Sequence, residues 1–175
     1  MNLLESIFVL PLVTLLMLAS LQGADLAGAQ WAAGWAAHMA ARSAAVIPLD
    51  AAETPERARS AATRLFAPFL RPLPLEHHTG LPLAARWAMR TGSIRLSIEV
   101  GFRDGTWLSL EKGRRRLQRK HEPAALRVHL WCAYPLRIPL VRPLFADPGS
   151  GAGDRILEAE AQFPLMNEAY EPDPA

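Results

Sequence analysis

Residues 1–22, MNLLESIFVLPLVTLLMLASLQ, are almost continuously apolar, unlike the rest of the chain. Between Leu3 and Leu21 the only ionisable side chain is Glu5. An apolar run of about 19 residues is long enough to cross a bilayer core of roughly 30 Å. It exceeds the usual hydrophobic core of a signal peptide, lacks a basic flank and is followed by no evident cleavage site. The expectation is a retained membrane anchor over residues 3–22. Inside it a carboxylate costs at least about 2.5 kcal/mol on insertion scales, so Glu5 requires a partner or a task. Pro11 removes one backbone donor, which predicts a kink or local unwinding near residues 7–11.

Helical character continues past Gln22. The stretch GADLAGAQWAAGWAAHMAARSAAV (23–46) is dominated by alanine, the best helix former, and no proline follows until Pro48. A single helix over residues 3–46 would be about 65 Å long, so its second half must project beyond the bilayer. On that half, Gly23, Ala24, Ala27 and Gly28 recur at four-residue spacing, as do Ala33 with Ala37 and Ala36 with Ala40. Small-residue seams of this kind permit close helix-to-helix approach. Trp31 and Trp35 lie one turn apart, and two packings are open to them, against the head's own sheet or against neighbouring subunits; the first is the expectation. No Lys or Arg precedes Arg42, so the positive-inside comparison has nothing to weigh on the N-terminal side.

Residues 47–175 form the head. In AETPERARSAATRLFAPFL (52–70), Thr54 as cap and Pro55 in the first turn start a short amphipathic helix. Its apolar face would be Ala58, Ala62, Leu65, Phe66 and Phe69. The periodicity then changes to two. Ile94, Leu96, Ile98, Val100 and Phe102 alternate with polar positions, and Asp104-Gly105 signals a hairpin into a strand over Trp107–Leu110. A second strand places Leu126, Val128, Leu130, Cys132 and Tyr134 on one face, and RILEAEAQF (155–163) makes a third. The fold class is α+β: a long N-terminal helix carrying a small head with a short helix and an antiparallel sheet.

Chemical motifs are sparse. Gly149–Gly153 has no following lysine and so lacks the phosphate-loop pattern. His77-His78 has no carboxylate pattern beside it, and no serine sits in a nucleophile elbow. Glu76, Glu99 and Glu158 form no acid/base pair by spacing. Neither catalysis nor a cofactor is expected. One cysteine, Cys132, excludes an internal disulfide and reads as a buried small hydrophobe. The net charge of +2 is too small to imply a polyanionic partner. The sharpest charge run is GRRRLQRK (113–120), with Arg114, Arg115 and Arg116 at its centre. Its bland reading is a solvated loop between strands; the functional reading is a tethered binding module that holds an anionic partner. Without interleaved aromatics it does not suit single-stranded nucleic acid.

An apolar N-terminal helix with an early glutamate, leading into an α+β head, resembles a type IV pilin-class subunit. ESIFVLP (5–11) is similar to the opening of TadE-type minor pilins of the tight-adherence (Flp-type) pilus system, and CAYPLRIPLVRPLF (132–145) resembles their tyrosine-proline segment. EAEAQFPLMNEAY (158–170) fits the same pattern, whereas Ser6 stands where the family usually has Phe or Tyr. The resemblance implies a single-pass protein of the bacterial inner membrane with a periplasmic head. Its partners would be other pilins and assembly-platform proteins, with a prepilin peptidase as processing enzyme. If Met1 is the first mature residue, Glu5 takes the family's register position, its carboxylate meeting a freed amine during assembly. Pro11 would then give local helix flexibility, and Gly23, Ala24, Ala27 and Gly28 the packing surface.

Overall fold

The computed structural model describes residues 3–46, 49, 53–69, 94–117, 123–147 and 154–165, with side chains from Ile7 onward in the first segment. Helix α1 spans Leu3–Ala45, 43 residues, and runs helically on both sides of Pro11. Part of it, within Ile7–Ala45, is long and apolar enough to cross a membrane. Ile7, Phe8, Leu10, Leu12, Leu16 and Met17 are all exposed, so the head leaves the helix uncovered from Ile7 to Met17. From Gln22 onward one face is buried by the head. Ala29, Ala33, Ala36, Ala37, Ala40, Ala41 and Ala44 are fully buried at steps of three and four residues.

That alanine face packs against a second helix, α2 (Thr54–Phe66), and against a four-stranded antiparallel sheet. The strands are β1 (Ile94–Phe102), β2 (Trp107–Ser109), β3 (Pro123–Pro135) and β4 (Asp154–Pro164), in the order β2-β1-β3-β4. Alternation sorts the sheet's two faces. Val128 pairs with Ile98 and Ala161, and Leu130 with Leu96 and Ala159, on the inner face. Leu126, Val128, Leu130, Cys132 and Tyr134 are all fully buried there. Alanines on both α1 and β4 let the helix lie close to the sheet. The projecting half of α1 thus belongs to the head's core rather than standing apart from it.

The β1–β2 hairpin turns at Asp104-Gly105, where Gly105 has φ +81° and Phe102 receives a hydrogen bond at its carbonyl from the Gly105 amide, 2.9 Å. A Cβ at Gly101 would meet the Trp107 ring at 2.9 Å, so only glycine lets that indole lie across β1.

Three expectations are corrected. Leu65 is exposed, while Thr54 and Thr63 are buried on the inner face of α2. The N-cap of α2 is Glu53, without a side-chain capping bond, and Thr54 already lies inside the helix. The centre of the basic run is no loop: Leu110–Leu117 forms helix α3, starting where the strand was expected to continue. Its apolar and small positions, Leu110, Gly113 and Leu117, recur at helical spacing, and Gly113 sits over Val100 at 3.5 Å for a built Cβ. Gln118–Lys120, His77-His78, Glu76 and Gly149–Gly153 lie outside the described residues.

Candidate functional site

The side of α1 opposite the alanine face is bare. Val13, Leu16, Met17 and Leu21 are exposed on the first half, and Ala24, Ala27, Gly28, Trp31, Gly34 and Trp35 continue the exposure on the second. Steps of three and four residues keep these positions on one stripe. The expected inward packing of Trp31 and Trp35 is overturned: they are 70% and 50% exposed. They meet edge to face with ring centroids 5.9 Å apart, and Trp35 continues to His38 (6.4 Å) and His38 to Phe163 of β4 (6.1 Å). A tryptophan cannot enter the α1–sheet contact, because alanine sets that spacing. Gly34 lies between the indoles in sequence and, with Ala27 and Gln30, lines a shallow groove beside them. A Cβ at Gly23, Gly28 or Gly34 would meet nothing within 4 Å.

Of the expected packing residues, Ala24, Ala27 and Gly28 face outward and Gly23 is half-buried at the stripe's edge. The other seam pairs, Ala33 with Ala37 and Ala36 with Ala40, divide from them: these are buried under the head. One small-residue pattern therefore serves two surfaces. Glu5 falls in the first turns of α1, and Pro11 is exposed on the bare half.

At the boundary between the two halves, the head grips α1 through polar groups. Gln22 is buried, and its Oε1 accepts hydrogen bonds from the backbone amides of Arg137 (3.1 Å) and Ile138 (2.9 Å). One turn along, the Asp25 carboxylate accepts the phenol proton of Tyr134 and lies 3.6 Å from the Arg137 guanidinium. Burial, and then the adjacent Asp25 carboxylate, raise the Tyr134 phenol above its ordinary range. The Arg142 guanidinium Nε donates to the Leu136 carbonyl at 3.0 Å, closing the turn after β3. Neither Gln22 nor Asp25 belongs to a recognisable local motif. Asp25 is the only acid in α1 besides Glu5, which was the available signal.

The three candidate partner-binding arginines do not act alike. Arg116 donates to Asp104 (3.1 Å) and Thr106 (2.7 Å) and covers the Phe102 ring at 5.6 Å, so it locks α3 to the hairpin. Hydrogen bonds from the Thr106 hydroxyl and amide, joined by Arg116, hold the Asp104 carboxyl below its usual range. Arg114 is half-buried and Arg115 is exposed. On the sheet's outer face Arg127 lies 3.1 Å from Glu160 and 4.1 Å above the Trp107 ring, while His129 stands 3.6 Å from both Glu99 and Glu160. These side chains pair with one another across β1, β3 and β4. Among the described residues no cluster of His, Cys, Asp and Glu is arranged to hold a metal ion. Comparison with protein-family models, curated proteins and solved structures found no match to this chain.

Proposed function

We propose that this chain is a membrane-anchored structural subunit of the minor-pilin kind, which enters, primes or caps a tight-adherence-type pilus by helix packing. The observation that carries the reading is the bare stripe of α1. It continues from the apolar first half into the half whose other side is already docked on the head. Exposing two tryptophans beside two glycines, Gly28 and Gly34, is costly for a solitary head, because each indole leaves a large apolar area in water. Small residues flanked by large aromatics make a surface that another helix can enter. On this reading the occupants are the N-terminal helices of other pilin-class subunits, including further copies of this chain. The head lies on the periplasmic side of the bacterial inner membrane, and the chain performs no catalysis.

Glu5 then sets register, its carboxylate compensated by an amine at the N-terminus of its own or a neighbouring helix. Glu5→Gln tests this. The variant keeps size and hydrogen-bonding capacity, and its anchor inserts at least as well because a costly charge has gone. Normal accumulation in membranes with reduced co-purification of pilus subunits, and fewer pili by electron microscopy, is the expected result. Full co-purification and normal pilus numbers would remove Glu5 from assembly.

A further inference from the structure

The segment after β3 carries two exposed leucines at the height where the apolar half of α1 ends. Pro139–Val141 is a 3-10 turn and Arg142–Phe145 a single helical turn following it. Val141 points inward and is fully buried, which fixes the turn's orientation, whereas Leu140 and Leu144 are 64% and 65% exposed. The two leucines are four residues apart and flanked by arginines. Arg137 stands 3.6 Å from Asp25, Arg142 donates to the Leu136 carbonyl, and Arg155 donates to the Phe145 carbonyl at 3.2 Å and is paired with Asp147 at 3.4 Å.

Position is fixed by the Gln22 clamp. Its two hydrogen bonds tie Arg137 and Ile138 to α1 one residue beyond Leu21, which is itself exposed. The 3-10 turn also contacts α1 directly. Leu3–Leu21 measures about 28 Å at the helical rise, close to the thickness of a hydrocarbon core, so Gln22 and Asp25 fall at its polar boundary. An exposed apolar pair with Arg137 and Arg142 close by in the chain, at that level, matches the interfacial zone, where acyl chains meet phosphates.

We infer that residues 137–144 form a membrane foot: Leu140 and Leu144 enter the headgroup–acyl boundary while Arg137 faces lipid phosphate. The occupant is the bilayer surface itself, continuous with the one the anchor crosses. The foot rests on the membrane-anchor reading. It would fix the head's tilt on the membrane, so that the stripe of α1 stands at a set angle before assembly.

The test uses the full chain in vesicles of phosphatidylcholine and phosphatidylglycerol. A fluorophore is attached at Leu144→Cys or, as a distal control, at Glu111→Cys on α3. Cys132 is buried with its thiol pushed up to about 12, so the introduced cysteine reacts selectively. Both leucine and glutamate are exposed, and circular dichroism checks that each variant is folded. Flotation of the same samples reports anchoring independently. Several-fold stronger quenching by headgroup-region nitroxide lipid at position 144 than at position 111 is expected. Equal quenching in protein that floats would overturn the foot and leave the anchor standing. Failure to float would overturn both.

Discussion

The Tyr134 phenol donates its proton to the Asp25 carboxylate, joining the end of β3 to a helix residue 109 positions earlier in the chain. This contact, with the amide pair on Gln22, sets where the head stops and the bare helix begins. Its titration has a definite sign. The folded state holds the phenol proton more tightly than the unfolded chain does, because burial and Asp25 disfavour phenolate. The contribution to stability is therefore complete below the ordinary tyrosine value of 10.0 and is lost as pH rises through the raised folded value. Denaturant unfolding of the solubilised protein should show stability falling above about pH 10. In Tyr134→Phe this component should be absent, with a loss at neutral pH of about 1 kcal/mol from the missing hydrogen bond. Identical pH profiles for the two proteins would remove the contact from the account.

Cys132 offers a second check on the core. It is fully buried between Ile94 and Leu157 on the inner face, and burial pushes its thiol up to about 12. A thiol-specific disulfide reagent at neutral pH should leave it unmodified in the folded protein and titrate one equivalent in denaturant. Rapid reaction without denaturant would mean that β3 does not lie under α1.

Much of this architecture was legible in the residues. Period-two alternation located β1, β3 and β4, and alternation in β3 picked out the inward set from Leu126 to Tyr134 correctly. Asp104-Gly105 marked the hairpin because a positive φ needs a residue such as glycine. Alanine content marked α1 as one helix but could not say which side the head would take. Nearly every position is small or apolar, so no polar face distinguishes inside from outside. Size and apolarity alone therefore point Trp31 and Trp35 inward, whereas the structure exposes them. Helix α3 was hidden by its charge: Leu110, Gly113 and Leu117 had the spacing, but the three arginines dominated the reading. The Gln22 and Asp25 contacts join residues more than a hundred positions apart, and local patterning carries no trace of such pairs.

The two faces of α1 should respond oppositely to added bulk. Ala37→Leu forces three extra carbons into a fully buried contact and should cost about 1–3 kcal/mol. Gly28→Leu adds a larger side chain where nothing lies within 4 Å of the new Cβ. It also replaces a poor helix former, so the solubilised protein should be unchanged or gain up to about 1 kcal/mol. Thermal unfolding in detergent separates the two. If Gly28→Leu unfolds as readily as Ala37→Leu, the stripe is not bare.

If the outward stripe of α1 takes the helix of a second copy or of a pilin subunit, as proposed, a photoreactive phenylalanine analogue at Gly34 will capture it. The site has open space around it, so the substitution leaves the head's packing intact. In cells making the pilus, irradiation should link position 34 to the N-terminal helix of a second copy or of another pilin subunit, identified by mass spectrometry of the linked peptides. The same analogue at Glu111 on α3 should give no such product. Pili assembled at normal levels with position 34 linked to no pilin helix would mean that the stripe is not a packing surface in the pilus.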